Sequence, residues 1–198
     1  MSAAGSTRLQ PLFLKLEGRT VLVVGAGPVG EGKIRSLLEA GAAVRVVAPD
    51  VTPEVRRLAA EGTLSLIQRP FEDRDAEGAW LIVAATSDAQ TQRQAAAAAE
   101  ARRVFLLAVD DPDHATAYSG AVLRRPPLVV AISSSGEAPA LSRLLREIIE
   151  ELLPSAQWVE HAKALRAAWA RDRTPMGDRF GALVRAFKER AVTRDSDR

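Results

Sequence analysis

Apolar residues in the first 110 positions fall into short runs separated by amphipathic stretches, the pattern of strands alternating with helices. Residues 20–24 (Thr-Val-Leu-Val-Val) are rich in β-branched side chains and bounded by Gly18 and Gly25, as expected of a buried parallel strand. Residues 33–40 place Ile34, Leu37 and Leu38 on one helical face, with Gly41 as the stop. A second strand is predicted over 44–48, a helix opened by Pro53 over 53–60, and a third strand over 64–67. Residues 80–84 and 104–109 predict the fourth and fifth strands, around an alanine-rich helix over 89–102. Helices of this length between strands imply βαβ units, a parallel sheet and an α/β fold class.

The pattern changes after residue 113. Residues 128–132 predict a further strand, with an antiparallel orientation open after Arg124-Arg125-Pro126-Pro127. Leu141, Leu144, Leu145, Ile148, Ile149 and Leu152 then form a helical stripe ending at Pro154. Trp158, Ala162, Leu165 and Trp169 repeat the spacing, as do Phe180, Leu183, Val184 and Phe187. The expected organisation is a sheet domain over 1–113 with a frayed end of about ten residues, a strand-and-helix segment over 114–154, and a small helical unit over 155–198.

Composition narrows the function classes. With no cysteine in 198 residues, disulfides, thiolate metal sites and cysteine nucleophiles are excluded, which suits a reducing, cytoplasmic setting. A protein metal site is not expected from two histidines. No apolar run reaches membrane-spanning length, and the N-terminal residues lack the apolar stretch of a signal peptide. The net charge of +2 gives no reason to expect nucleic acid as a partner. Charge is nevertheless uneven: residues 155–198 carry 10 Lys and Arg against 6 Asp and Glu, so that face is either solvated or turned to an anion.

The chemistry begins at Gly25-Ala26-Gly27-Pro28-Val29-Gly30, between the first strand and the first helix. The free N–H groups and dipole of a helix N-terminus attract a pyrophosphate. Gly25 suits a tight turn, Gly27 a close approach of backbone to ligand, and Gly30 close packing of helix on strand. Strand, glycine turn, helix and a following strand together are the context that makes this motif specific for a dinucleotide. Asp50, after Pro49 at the end of the second strand, is placed to accept a hydrogen bond from a ribose 2′-hydroxyl, favouring NAD over NADP. Gly27-x-x-x-x-Gly32-Lys33 also matches most of a triphosphate-binding loop, but Ile34 stands where Ser or Thr would hold Mg²⁺.

Further candidates lie where strands end. Thr86 follows the fourth strand in a small polar turn. Asp110 follows the fifth and is the best-placed proton acceptor, although Asp in such a turn also serves structure alone. His114 has the intrinsic chemistry for proton transfer but no evident sequence partner. Ser133-Ser134-Ser135-Gly136 reads either as helix capping or as a cradle for an anion. Arg143 and Arg146, opposite the leucine stripe, could clamp carboxylates or stay solvated.

Taken in order, the run from Pro11 to Gly30, Lys33, Val46-Val-Ala-Pro-Asp50, Ala84-Ala-Thr-Ser-Asp88, Val109-Asp-Asp-Pro112, Ala131-Ile-Ser-Ser-Ser-Gly-Glu-Ala-Pro139 and Leu144-Leu-Arg-Glu147 resemble the siroheme synthase N-terminal family. That family comprises precorrin-2 dehydrogenases, some of them also sirohydrochlorin ferrochelatases. The resemblance implies a Rossmann-like parallel sheet, a dimerisation segment and a small C-terminal helical domain, with homodimers as the assembly. It implies NAD-dependent oxidation of precorrin-2, a polycarboxylate tetrapyrrole, to sirohydrochlorin in siroheme or cobalamin synthesis. The family's cofactor contacts fall on Pro28, Val29, Pro49 and Asp50, its active-site aspartate on Asp110, and its pocket serine on Ser134. Departures stand at Leu107, where the family often has Asn, and at Ala117 and Gly120, where an aromatic and a proline are common. The chain is expected to act apart from the methyltransferase domain of fused members. A bifunctional enzyme that also inserts Fe²⁺ or Co²⁺, and a non-catalytic NAD- or tetrapyrrole-binding sensor, are the alternative readings.

Overall fold

The computed structural model describes residues 9–152 and 156–195, with backbone alone for 156–158 and 187–195. The frayed end expected before residue 9, the helix stop at Pro154 and the side chains of Trp158 and Phe187 lie outside the described residues. The chain divides into two compact units. The first takes in the described residues up to Gly120 together with Ser133–Pro139; the second takes in Ala121–Ile132 and the described residues from Ala140 onward.

In the first unit, β1 (Thr20–Ala26), α1 (Pro28–Glu39), β2 (Ala43–Val51), α2 (Pro53–Ala60), β3 (Ser65–Ile67), a short 3-10 turn (Asp73–Ala76), β4 (Leu81–Ala84), α3 (Ala89–Arg102) and β5 (Phe105–Ala108) follow in sequence. The five strands pair in parallel in the order β3-β2-β1-β4-β5. This is the parallel α/β sheet expected from the strand–helix alternation, in the Rossmann-like form that the family resemblance implies. Its central strands β1 and β4 are almost wholly apolar because helices cover both faces, while β2 carries Arg45 and Asp50. Val21 and Val23 point into one layer with Ile34 of α1 and Val55 of α2. Leu22 and Val24 point the other way, into a layer with Ala95, Ala98 and Ala99 of α3. Each such Val or Leu, fully buried, stabilises the fold by about 1.5–3 kcal/mol. The alanines of α3 gain less individually but let the helix approach the sheet closely.

The sheet grows from β1 to β2 and β3 on one side, then crosses to β4 and β5 on the other. Such a reversal opens a crevice at the carboxyl ends of β1 and β4. Two polar ties centre on the short turn between β3 and β4. Asp75 receives a two-pronged bond from Arg69 at 2.7 and 2.8 Å, and Arg45 donates to the Asp75 and Glu77 carbonyls. Burial pushes the Asp75 carboxyl up, but the Arg69 guanidinium and the Glu72 N–H together outweigh it and hold the group below the ordinary aspartate range.

Several boundaries differ from those the sequence suggests. The first helix starts at Pro28, not at Lys33. Pro at the first helical position is pre-set for the turn, so the glycine motif is itself helical from its second half. The second strand runs on through Pro49 and Asp50 to Val51. In the second unit, β6 (Ala121–Arg125) was not legible as a strand; it pairs antiparallel with β7 (Leu128–Ile132) across a cis Pro126–Pro127 turn. Three helices follow: α4 (Pro139–Leu152), α5 (Ala156–Arg171) and α6 (Met176–Asp195). Among the described residues no helix is long and apolar enough to cross a membrane.

Candidate nicotinamide-dinucleotide site

The glycine turn is built by close contact. A Cβ on Gly25, at φ +95°, would strike the Ala85 carbonyl, and one on Gly30 would strike the Gly25 carbonyl. A Cβ on Gly27 would meet nothing within 4 Å. Gly25 and Gly30 thus lock β1, α1 and the end of β4 together, while Gly27 faces open space. Gly27 is the N-cap of α1, and no side chain caps that end. Pro28 has no N–H to satisfy, so the next free donors of the first turn point toward the open side of Gly27. A pyrophosphate fits this arrangement: uncapped donors, positive dipole end and no Cβ in the way.

Asp50 and Pro49 are exposed at the β2 end, beside β1. On the other side of β1 lies an open cleft of about 490 Å³ above β4 and β5. Val29 of α1, Ala85 and Thr86 after β4, and Val109, Asp110 and Asp111 after β5 line it. The glycine turn therefore lies between the acid at one end and the cleft at the other. An extended dinucleotide would be held over Asp50, the α1 N-terminus and the cleft in turn.

Asp110 is exposed at the cleft, in a left-handed turn at φ +60°. Asp tolerates this region better than most residues. The turn sends the chain away from the sheet directly after β5 and leaves the carboxylate at its mouth. His114, which has no evident partner in the sequence, has one in the fold: its Nδ1 lies 2.8–2.9 Å from the Asp111 carboxylate oxygens. The turn brings together residues three apart, a closeness that spacing without local geometry does not reveal. Thr86 works through both ends: its hydroxyl accepts from Asp88 N–H at 3.2 Å, and its carbonyl accepts from Gln92.

Gln92 was missed by sequence reasoning. It is buried in the first turn of α3, and its Nε2 donates to the Thr86 and Val109 carbonyls at 2.9 and 3.1 Å. This amide joins the two strand ends under the cleft. Its Oε1 is buried without a hydrogen-bond partner. The only available signal was a polar residue inside an alanine-rich helix. Lys33 and Ser119 were also missed as a pair: Lys33 Nζ donates to Ser119 Oγ at 2.6 Å across 86 positions of sequence.

Ser134 belongs to the first unit, and its hydroxyl accepts from Ala138 N–H at 3.1 Å, a local turn-closing bond. Arg143 and Arg146 belong to the second unit, on α4. They pair there with Glu147 and Glu150, at 3.2 and 2.7 Å. The structure thus gathers Val29, Thr86 and Asp110 at one cleft, with His114 paired to Asp111 at its edge, and leaves these two arginines in a separate unit.

Residues 12–121 match the family described as putative NAD(P)-binding, and residues 125–152 the one described as sirohaem biosynthesis protein central. The chain belongs to the siroheme synthase N-terminal family. Its dinucleotide is accordingly a nicotinamide cofactor. The siroheme synthase of Citrobacter koseri is 43% identical over 85% of this chain, and siroheme synthase 3 of Aeromonas hydrophila 40% identical over 93%. The chain spans 37% and 39% of the length of these two relatives. Among solved structures, SirC, a precorrin-2 dehydrogenase, matches with a TM-score of 0.69 and 25% identity, over 89% of this chain and 88% of that one.

Proposed function

We propose that the protein is an NAD-dependent precorrin-2 dehydrogenase that forms sirohydrochlorin. The observation that carries this reading is the cleft itself: a carboxylate, Asp110, stands at its mouth beside the end of a dinucleotide-binding crevice. The names of the relatives and of the matched structure supply the substrate class.

Gly25, Gly27, Pro28, Val29 and Gly30 position the cofactor's pyrophosphate, and Pro49 and Asp50 its adenosine ribose. Asp50 is an acceptor and carries negative charge, so it favours a free 2′-hydroxyl over a 2′-phosphate. Arg45, inside β2, is engaged by the Asp75 and Glu77 carbonyls and is not free to hold that phosphate. Thr86 and Val29 border the nicotinamide half of the cleft. They would hold a nicotinamide there, which when bound would supply the hydride acceptor for the substrate ring. Asp110 takes the accompanying proton onto its carboxylate, so that one hydride and one proton leave together. Ser134 and His114 serve the substrate side.

The chain acts as a homodimer in this reading, through the apolar face of α4. Leu141, Leu144 and Ile148 are exposed on that helix, and its neighbour β7 exposes Leu128 and Val129.

Purified protein incubated with precorrin-2 and NAD is expected to yield sirohydrochlorin and NADH, with Asp110→Ala lowering turnover about a hundredfold while NAD still binds. Absence of any cofactor-dependent product from the unaltered protein overturns the reading. A metal-dependent spectral change with sirohydrochlorin would add chelation to the activity.

A further inference from the structure

Lys33 has no task in the reaction as described, yet it is placed where a task exists. It lies one helical turn after Val29, on the same face of α1. Val29 lines the cleft with Asp110 and Asp111. The Lys33 side chain is half-buried, and its ammonium donates to Ser119 Oγ at 2.6 Å. Ser119 ends the excursion that starts at Asp110, and Tyr118 closes the same excursion with a bond from its hydroxyl to the Pro112 carbonyl at 3.3 Å. Burial pulls the Lys33 ammonium below the ordinary lysine range, and the negative charge of Asp110 acts against that pull. A half-buried ammonium is costly to keep charged unless an anion and a hydrogen-bond acceptor face it. Asp110 and Ser119 are that anion and that acceptor.

We propose that Lys33 is a positioning residue of the active site, pinning the 110–119 loop through Ser119 and so holding Asp110 at the cleft. The inference rests on the proton-accepting role given above to Asp110. Asp111 is the other charged residue lining the cleft, and it is engaged by His114. Asp113 follows in the same loop. Lys33, from α1, is the cation whose charge acts on Asp110. The triphosphate-loop match at Gly27, Gly32 and Lys33 thereby acquires another meaning: the lysine reaches back to a loop of its own fold.

The test has two arms. In the first, the full chain is treated with acetic anhydride near pH 8, and acetylation is mapped at its four lysines, Lys15, Lys33, Lys163 and Lys188. Asp110→Asn is expected to speed labelling of Lys33 about threefold or more, since the neutral amine reacts and the variant lacks the charge that protects the ammonium. Labelling of Lys15 and Lys163 stays unchanged. An unchanged Lys33 rate overturns the coupling. In the second arm, Lys33→Met is expected to lower kcat with precorrin-2 about tenfold or more. NAD affinity, read by fluorescence titration, stays within about twofold. Lys33→Arg restores part of kcat. Wild-type kcat in Lys33→Met, or no rescue by Lys33→Arg, overturns the proposal. An inactive unaltered protein would instead refute the dehydrogenase reading, and the labelling arm would still decide whether Lys33 and Asp110 are coupled.

Discussion

The two compact units bury apolar surface very differently. Among the described residues, the fully buried aliphatic side chains, from Val21 to Leu106, lie in the first unit; in the second, Leu123 is the buried hydrophobic residue. The second unit instead exposes its apolar stripes. Leu141 and Leu144 are each 52% exposed, Leu152 76% and Phe180 74%. Both units show regular hydrophobic periodicity, so periodicity alone does not separate them. The difference is what each face meets. In the first unit the central strands β1 and β4 meet helices of the same unit on both faces, with Phe105 of the edge strand β5 left exposed, and a self-sufficient core results. In the second, a hairpin and the apolar face of α4 are left open, and exposed apolar patches on this scale mark association surfaces. The first unit thus carries the precise geometry of the dinucleotide crevice, and the second is suited to assembly.

Four substitutions would break or sharpen this contrast, from the largest expected effect to the smallest. Gly30→Val forces a side chain into the Gly25 carbonyl; it should destabilise the first unit by about 3 kcal/mol or more, read by chemical denaturation, and abolish cofactor binding. Asp75→Asn unpairs Arg69 and should cost about 2–3 kcal/mol at neutral pH. Because the folded Asp75 carboxyl is held below its ordinary range, that stabilisation is complete above the unfolded value of about 3.9 and is lost as pH falls through the lowered folded value. The gap between native protein and variant should therefore close on acidification; a gap that widens would contradict the assignment. Asp50→Ala should weaken NAD about tenfold, roughly 1.4 kcal/mol, and shrink the preference for NAD over NADP. Leu144→Glu on α4 should shift the first unit's unfolding by no more than about 0.5 kcal/mol, yet halve the mass seen by sedimentation. A strong loss of first-unit stability in that variant would show that the exposed stripe serves the monomer rather than the dimer.

Legibility in the sequence follows the same divide. The α2 and α3 boundaries, at Pro53–Ala60 and Ala89–Arg102, were read to the residue because Pro53 and an alanine-rich composition act locally. The β1 run was legible because a strand buried on both faces is apolar throughout. The start of α1 was obscured by glycines whose helical role depends on packing against Ala85. Strand β6 was obscured because Ala121-Val-Leu-Arg-Arg125 shows little alternation, and only its pairing with β7 defines it. In the site, the glycine turn, Asp50, Thr86 and Asp110 could be chosen by their positions after strands. Gln92, the Asp111–His114 pair and the Lys33–Ser119 bond could not, because each depends on side-chain direction or on contact between distant segments.

The sequence by itself determined the alternation of strands and helices, the phosphate-accepting turn and the acids at the strand ends. These are local features, written as hydrophobic period, glycine spacing and distance from a strand. Only the tertiary structure decided that β4 crosses to the far side of β1, since strand order is a long-range choice that no local pattern encodes. That crossing opens the crevice between Asp50 and Asp110 and brings Lys33 to the loop that carries the latter. The physical reason is that a sheet's strand order, unlike its strands, is fixed by which buried faces meet.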